Sequence, residues 1–430
     1  MTNLIVIDCH DLGQHLGCYG QSTVSSSTLD FLANQGIQFE NSFCTAPQCS
    51  PSRATLYTGR YSHSNGMMGL AHKPFSWRMH SDETYLAQYL QDAGYETVHV
   101  GVQHVTSGDE SSVRALGFDR ILPNGDLAPD VATSAISYLE EVHQRPFFLN
   151  IGFFEPHRDH NGEYKIAPPD GSKGVELPSY IPQIPEAWQE FTELQGMIRQ
   201  MDQAVGRIIE TLNARKLLDD TWLIFTTDHG LAMPRAKCTM YDPGIETALI
   251  MYAPSLGLVG GKRLSQMVSH VDLVPTILDG LNIDIPEHLQ GRSYWGLLRG
   301  TTHTHRDVVY ASKTFHTDYE PQRMIRTATH KLIWNAEVDI INVPGDIMHS
   351  PIYPHMIDVL TVERPPFELY DLLNDPQETQ NLADDVAHAD ILNILRERLF
   401  AWMRDTKDPI LEGPIASPYY HRAMQQLKGN

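Results

Sequence analysis

The chain holds only five cysteines, an odd number with no Cys-x-x-Cys pair. That excludes a disulfide framework and a zinc-finger pattern. No apolar run is long enough to span a bilayer. The opening Met1-Thr2-Asn3-Leu4-Ile5-Val6-Ile7-Asp8 lacks a charged leader region and an apolar signal core. The expectation is a cytoplasmic protein, or a periplasmic or secreted one if a leader has been removed. Positive charge is also scarce: 32 Lys and Arg stand against 53 Asp and Glu, a formal charge of −21. Nucleic acid and membrane surfaces are therefore not expected partners. An anionic substrate would need charge inverted locally, by a metal or by clustered Arg, Lys and His.

The length, 430 residues, suits one large α/β domain and a smaller one. Apolar runs at Leu4–Ile7, Ile37–Phe43, Tyr95–Val100, Pro146–Phe154, Thr221–Thr226 and Ala248–Tyr252 predict strands. Between them, helical periodicity covers Thr28–Asn34, Thr84–Asp92, Val131–Val142 and Ala187–Leu217. Helices alternating with apolar strands imply a mainly parallel sheet with helices on both faces. Residues 1–300 are read as this domain and 301–430 as a smaller α+β domain. There, Val308–Tyr310 and Lys331–Trp334 predict short strands and Ala389–Met403 a helix. Residues 158–185, rich in Pro and Gly, predict a long loop over the site.

Polar residues at the carboxyl ends of parallel strands are where such folds place ligands. Four predicted strand ends carry them: Asp8-Cys9-His10-Asp11, His104, Glu155-Pro156-His157 and Asp228-His229. Singly, each reads as a cap or a satisfied histidine. Together at one sheet edge they point to a site. The remaining candidate is Gln48-Cys49-Ser50-Pro51-Ser52-Arg53, which runs on to Thr58-Gly59-Arg60. Pro51 suits a first helical turn, which leaves Cys49 at the electropositive end of a helix. Arg53, within one turn, is expected to bring positive charge to the same spot.

This stretch resembles the sulfatase signature, Cys-x-Pro-x-Arg followed by Thr-Gly. The resemblance extends along nearly the whole chain, and is nearest to the heparan N-sulfatases (sulfamidases). It implies an alkaline-phosphatase-like fold and hydrolysis of sulfate esters or sulfamates, with a sugar as the expected substrate. It implies that Cys49 is oxidised to formylglycine by a formylglycine-generating enzyme. It also implies one divalent cation. Oxygen donors with an imidazole suit Ca²⁺, with Mg²⁺ or Mn²⁺ as alternatives.

Metal ligands implied are Asp11, Asp228, His229 and residue 49 itself. His10 stands where the family has a first aspartate, so either its imidazole ligates or Asp8 reaches in. Lys237, with Thr239-Met240-Tyr241, matches the lysine that contacts sulfate. His157 matches the proton donor to the leaving atom. His104 matches the histidine of a Gly-Lys-x-His segment whose lysine is missing here, Val102 and Gln103 standing in between. In the implied reaction Asp228 takes a proton from the hydrated aldehyde, its oxygen attacks sulfur, and His104 takes the second proton as sulfate leaves. A phosphonate or phosphate-ester hydrolase, and a non-catalytic binding protein with an unconverted thiol, are the competing expectations. His303 and His305 read as solvated. His316, Tyr319 and Arg323 are candidates for the sugar pocket.

Overall fold

The computed structural model describes residues 2–428, apart from 124, 126, 160 and 339–342. Eight strands build the large sheet: β1 (Asn3–Cys9), β2 (Ile37–Phe43), β3 (Glu96–Gly101), β4 (Arg120–Ile121), β5 (Phe147–Gly152), β6 (Thr221–Thr227), β7 (Leu249–Tyr252) and β8 (Lys262–Ser269). Their order is β4-β3-β5-β1-β6-β7-β2-β8. β1 lies at the centre, parallel to β5 and β6, with Val6 opposite Asn150 on one side and Ile224 on the other. Both its faces are covered, so every residue of β1 is buried and the strand reads as a continuous apolar run. Only β7 runs against its neighbours. β2 therefore shares the direction of β1 and β6, and its carboxyl end opens on the same edge.

Helices cover both faces, as expected. Pro185–Ala214 presents Leu194, Met197, Met201, Val205, Ile208 and Leu212 to the core on one face. Its Asp202 turns to the N-terminus of Ser27–Gln35 and accepts from Thr28 N (3.0 Å) and Leu29 N (2.8 Å), satisfying donors that helix leaves open. Residues 158–184 form the expected long loop, with position 160 outside the described residues.

A second, antiparallel sheet follows, in the order β12-β11-β10-β9. Its strands are β9 (Val308–Phe315), β10 (Tyr319–Thr327), β11 (His330–Asn335) and β12 (Phe367–Asp371). Helix Ala389–Asp405 packs on it through Leu395, Leu399, Trp402 and Met403. β10 and β12 were not expected from the pattern, and β9 is longer than expected. Charged residues on buried positions interrupt the apolar signal. Arg326 and Lys331 pair with Asp242 (2.8 and 2.6 Å), which belongs to the large unit.

This junction positions the Cys49 loop. Ser312 N donates to Thr45 O (2.8 Å), Phe315 N to Met68 O (3.0 Å), and Gln48 Nε2 to Phe315 O (2.6 Å).

Candidate active site

Helix Cys49–Thr58 begins at Cys49, and all ten of its residues are buried. A helix so rich in Ser and Thr tolerates burial because its hydroxyls find partners. Thr55 and Thr58 donate to the carbonyls of Pro51 and Ala54, Ser50 Oγ accepts from Ala71 N, and Ser52 Oγ donates to Asp228 O. The helix closes on Gly59, whose φ of +66° is the left-handed conformation glycine takes without penalty. Burial pushes the Cys49 thiol well above its ordinary range, with Lys237 acting the other way. As a thiol it is a neutral, poor nucleophile.

The strand ends converge on it. Asp11 and Asp228 are fully buried and adjacent, and Asp11 N donates to Asp228 Oδ1 (2.9 Å). The turn after β6 packs closely on Pro243-Gly244 because Gly230 has no side chain. A Cβ on Gly230 would lie 1.8 Å from the carbonyl of Pro243. Asp11 (φ +49°) and His104 (φ +56°) both hold left-handed backbones, strain retained at the site. His229 Nε2 stands 3.2 Å from Asp11 Oδ1 and 3.4 Å from Cys49 Sγ. His10 Nδ1 stands 3.1 Å from Asp228 Oδ2. Lys237 Nζ donates to Asp11 Oδ2 (3.0 Å) and lies 3.5 Å from His157 Nε2. His104 stacks on His72, Nε2 to Nδ1 3.2 Å, and its ring centre is 5.4 Å from that of His10.

Burial alone would raise the Asp228 carboxyl, but His229, His10 and Arg53 hold it well below the usual range. Asp11 is held low in the same way, against burial, chiefly by Lys237. Burial drops His10 to about 3, with Arg53 adding to the effect. Burial and His10 likewise push His104 well below its usual value. Both are neutral imidazoles with available lone pairs.

The residues fit a cation. Asp11, Cys49, Asp228 and His229 offer donor atoms within 4.8 Å of one another, and so do His10, Asp11, Cys49 and His157. Asp11 Oδ1 and His10 Nε2 are buried without a hydrogen-bond partner. The His229 Nδ1 contact with Gly230 O (3.0 Å) assigns its hydrogen to that nitrogen. Its Nε2 lone pair then faces a carboxylate oxygen, an arrangement that a cation between them stabilises.

Four expectations change. Asp8 does not reach the cluster: its carboxylate accepts from Arg53, from Tyr57 Oη and from Asn150 Nδ2 (3.2 Å). Arg53 does not face the nucleophile. Its Nε goes to Asp228 Oδ2 (3.2 Å), Nη1 to Asp8 and Nη2 to Cys9 O (3.0 Å), so its charge is spent behind the site. Arg323 is fully buried against Asp408, and the Tyr319 ring packs on Phe315, which leaves only His316 of that trio beside Lys237. His305 is paired with Asp272 (3.1 Å) rather than solvated, whereas His303 is exposed.

Gln103 does not replace the missing lysine. It turns inward, accepting from Val105 N and Thr106 N. Two neighbours of the site escaped the sequence reading: His72, and Asp346, which lies 2.6 Å from Lys237. Neither carries a local signal, because long-range packing alone brings them in.

Buried carboxylates, imidazoles and one ammonium gathered around a helix N-terminus at the carboxyl edge of such a sheet define a hydrolase of the alkaline-phosphatase-like superfamily. A family model described as Sulfatase matches residues 2–283, and one described as N-sulphoglucosamine sulphohydrolase, C-terminal, matches residues 229–343. The chain is 30% identical to human N-sulphoglucosamine sulphohydrolase, over 96% of this chain and 92% of that one. The fold is shared with a structure in complex with D-glucosamine-2-N,6-O-disulfate (TM-score 0.72, 20% identity, 96% and 99% of the two chains). It is shared equally with a phosphonate monoester hydrolase of Agrobacterium radiobacter (TM-score 0.71, 19% identity, 96% and 97%). The chain belongs to the sulfatase family and is a sulfatase-type hydrolase.

Proposed function

We propose that the chain hydrolyses a sulfate ester or sulfamate on a small sugar, using a divalent cation and a formylglycine at position 49. The observation that carries this is the convergence of Asp11, Asp228, His229 and Lys237 on residue 49, with His157 beside Lys237. Likeness to an N-sulphoglucosamine sulphohydrolase along nearly the whole chain supports the substrate class.

Asp11, Asp228, His229 and His10 would hold the cation, which when bound offsets their charge and polarises sulfate oxygens. Two carboxylates with two imidazoles suit Mn²⁺ as well as the Ca²⁺ expected from sequence. The aldehyde hydrate of formylglycine supplies the attacking oxygen that a buried thiol cannot. Asp228, held ionised, accepts a proton from it in this reading. Lys237 binds a sulfate oxygen. His157 lies near Lys237 and is 24% exposed, so it borders solvent and faces the leaving atom as its proton donor. His104, neutral, takes the proton that accompanies sulfate release.

Expression with a formylglycine-generating enzyme, then mass spectrometry of the peptide containing residue 49, tests the nucleophile. Turnover of N-sulfoglucosamine, an aryl sulfate and an aryl phosphonate tests the reaction. A persistent thiol together with no turnover rejects the proposal. Preferred phosphonate turnover supports a phosphonate or phosphate-ester hydrolase instead.

A further inference from the structure

Lys237 serves two carboxylates. Besides Asp11, its Nζ meets Asp346 Oδ2 at 2.6 Å. Asp346 comes from the segment joining β11 to β12, which crosses to the large sheet's helices. It is seated there by packing: Ile347 and Ile352 are buried, and Ser350 Oγ donates to Glu190 Oε2 (2.7 Å). The Asp346 side chain is 16% exposed, and its carboxylate meets the same Lys237 ammonium that holds Asp11. Burial works against its ionisation, but Lys237 and His316 keep it ionised.

A carboxylate in an anion pocket needs a reason. Facing residue 49 stand three carboxylates (Asp11, Asp228, Asp346) and, among the described residues, the Lys237 ammonium, while Asp8 and Arg53 offset each other behind them. With His157 carrying the proton it donates, the net is −1, and a divalent cation brings the cluster to +1. A singly charged substrate then leaves zero, and a doubly charged one −1. Were Asp346 absent, the cluster would carry +2 and suit a dianion.

We infer that Asp346 restricts the pocket to singly charged tetrahedral groups, such as sulfate esters and sulfamates, and turns away doubly charged phosphate monoesters. This rests on the reading that the pocket takes a tetrahedral anion beside residue 49. The ligand must share Lys237 with Asp346, which places the two charges on the order of 5 Å apart. With an effective dielectric of about 20, repulsion from Asp346 then costs each additional ligand charge at least ~10-fold in affinity.

The test uses the metal-loaded protein and two ligands of one shape that cannot be hydrolysed. Benzenesulfonate carries one negative charge; phenylphosphonate carries two in mildly alkaline buffer. Calorimetric titration of the wild type should favour the sulfonate. Asp346→Asn should move the affinity ratio at least ~10-fold toward the phosphonate, and Asp346→Glu should restore it. A merely structural role would weaken both ligands alike, so an unchanged ratio in Asp346→Asn overturns the inference. So does a wild type that binds neither ligand. Aryl sulfate turnover, measured in parallel, judges the proposed reaction separately. An active enzyme with an unmoved ratio rejects only the role of Asp346, and an inert protein with a shifted ratio rejects only the reaction.

Discussion

Arg53→Lys is the sharpest perturbation of the site. Arg53 is fully buried, and its three nitrogens serve Asp228, Asp8 and Cys9 O in different directions. Lysine keeps the charge but not the planar fork, so one ammonium cannot reach all three acceptors. Two buried charge-assisted hydrogen bonds are lost, and relaxation recovers part of them. The loss of folding stability should be about 3 kcal/mol, measured by chemical denaturation. Asp228, no longer held from behind, should bind the cation about 10- to 100-fold more weakly, measured by metal titration. KM should stay close to wild type once the metal is saturating, because the guanidinium does not face the substrate. If Arg53 instead touched sulfate, KM would rise while metal affinity stayed unchanged. That outcome would refute the argument.

Two further outcomes follow from the geometry. His157→Ala should lower kcat by about 10²- to 10⁴-fold on a sugar sulfate or sulfamate, and far less on 4-nitrophenyl sulfate, whose leaving group needs no proton. Equal losses on both would exclude His157 as the proton donor. His15 and His63, each held at about 4 chiefly by burial, refuse protons that the unfolded chain accepts below its own value of 6.5. Stability should therefore be level in these groups above pH 6.5 and fall as pH drops toward 4. At pH 5 each contributes up to about 2 kcal/mol of that loss. A melting temperature unchanged between pH 7 and 5 would contradict the burial of these neutral rings.

Sequence alone revealed six of the large sheet's eight strands and most of the site's residues, but not the two-residue β4, nor β8 with its exposed start, nor the order in which the strands pair. Leu4–Ile7, Pro146–Phe154 and Thr221–Thr226 announce buried parallel strands because a strand covered on both faces has no polar alternation to hide its apolar run. Their polar ends, His157 among them, could be named because ligand residues follow strand ends at short range, whereas Cys49 and Lys237 were named by the motifs that carry the family resemblance. The partners of buried charges were not legible. Nothing local tells that Arg53 turns to Asp8 and Asp228, that Arg323 meets Asp408, or that Asp346 reaches Lys237 across the molecule. The same blindness hid β10, whose buried arginines look like surface until their carboxylates are found. Periodicity reports which face of an element meets the core. Which charge meets which is settled only when distant segments pack, since a buried ion is tolerated only where its counter-ion arrives.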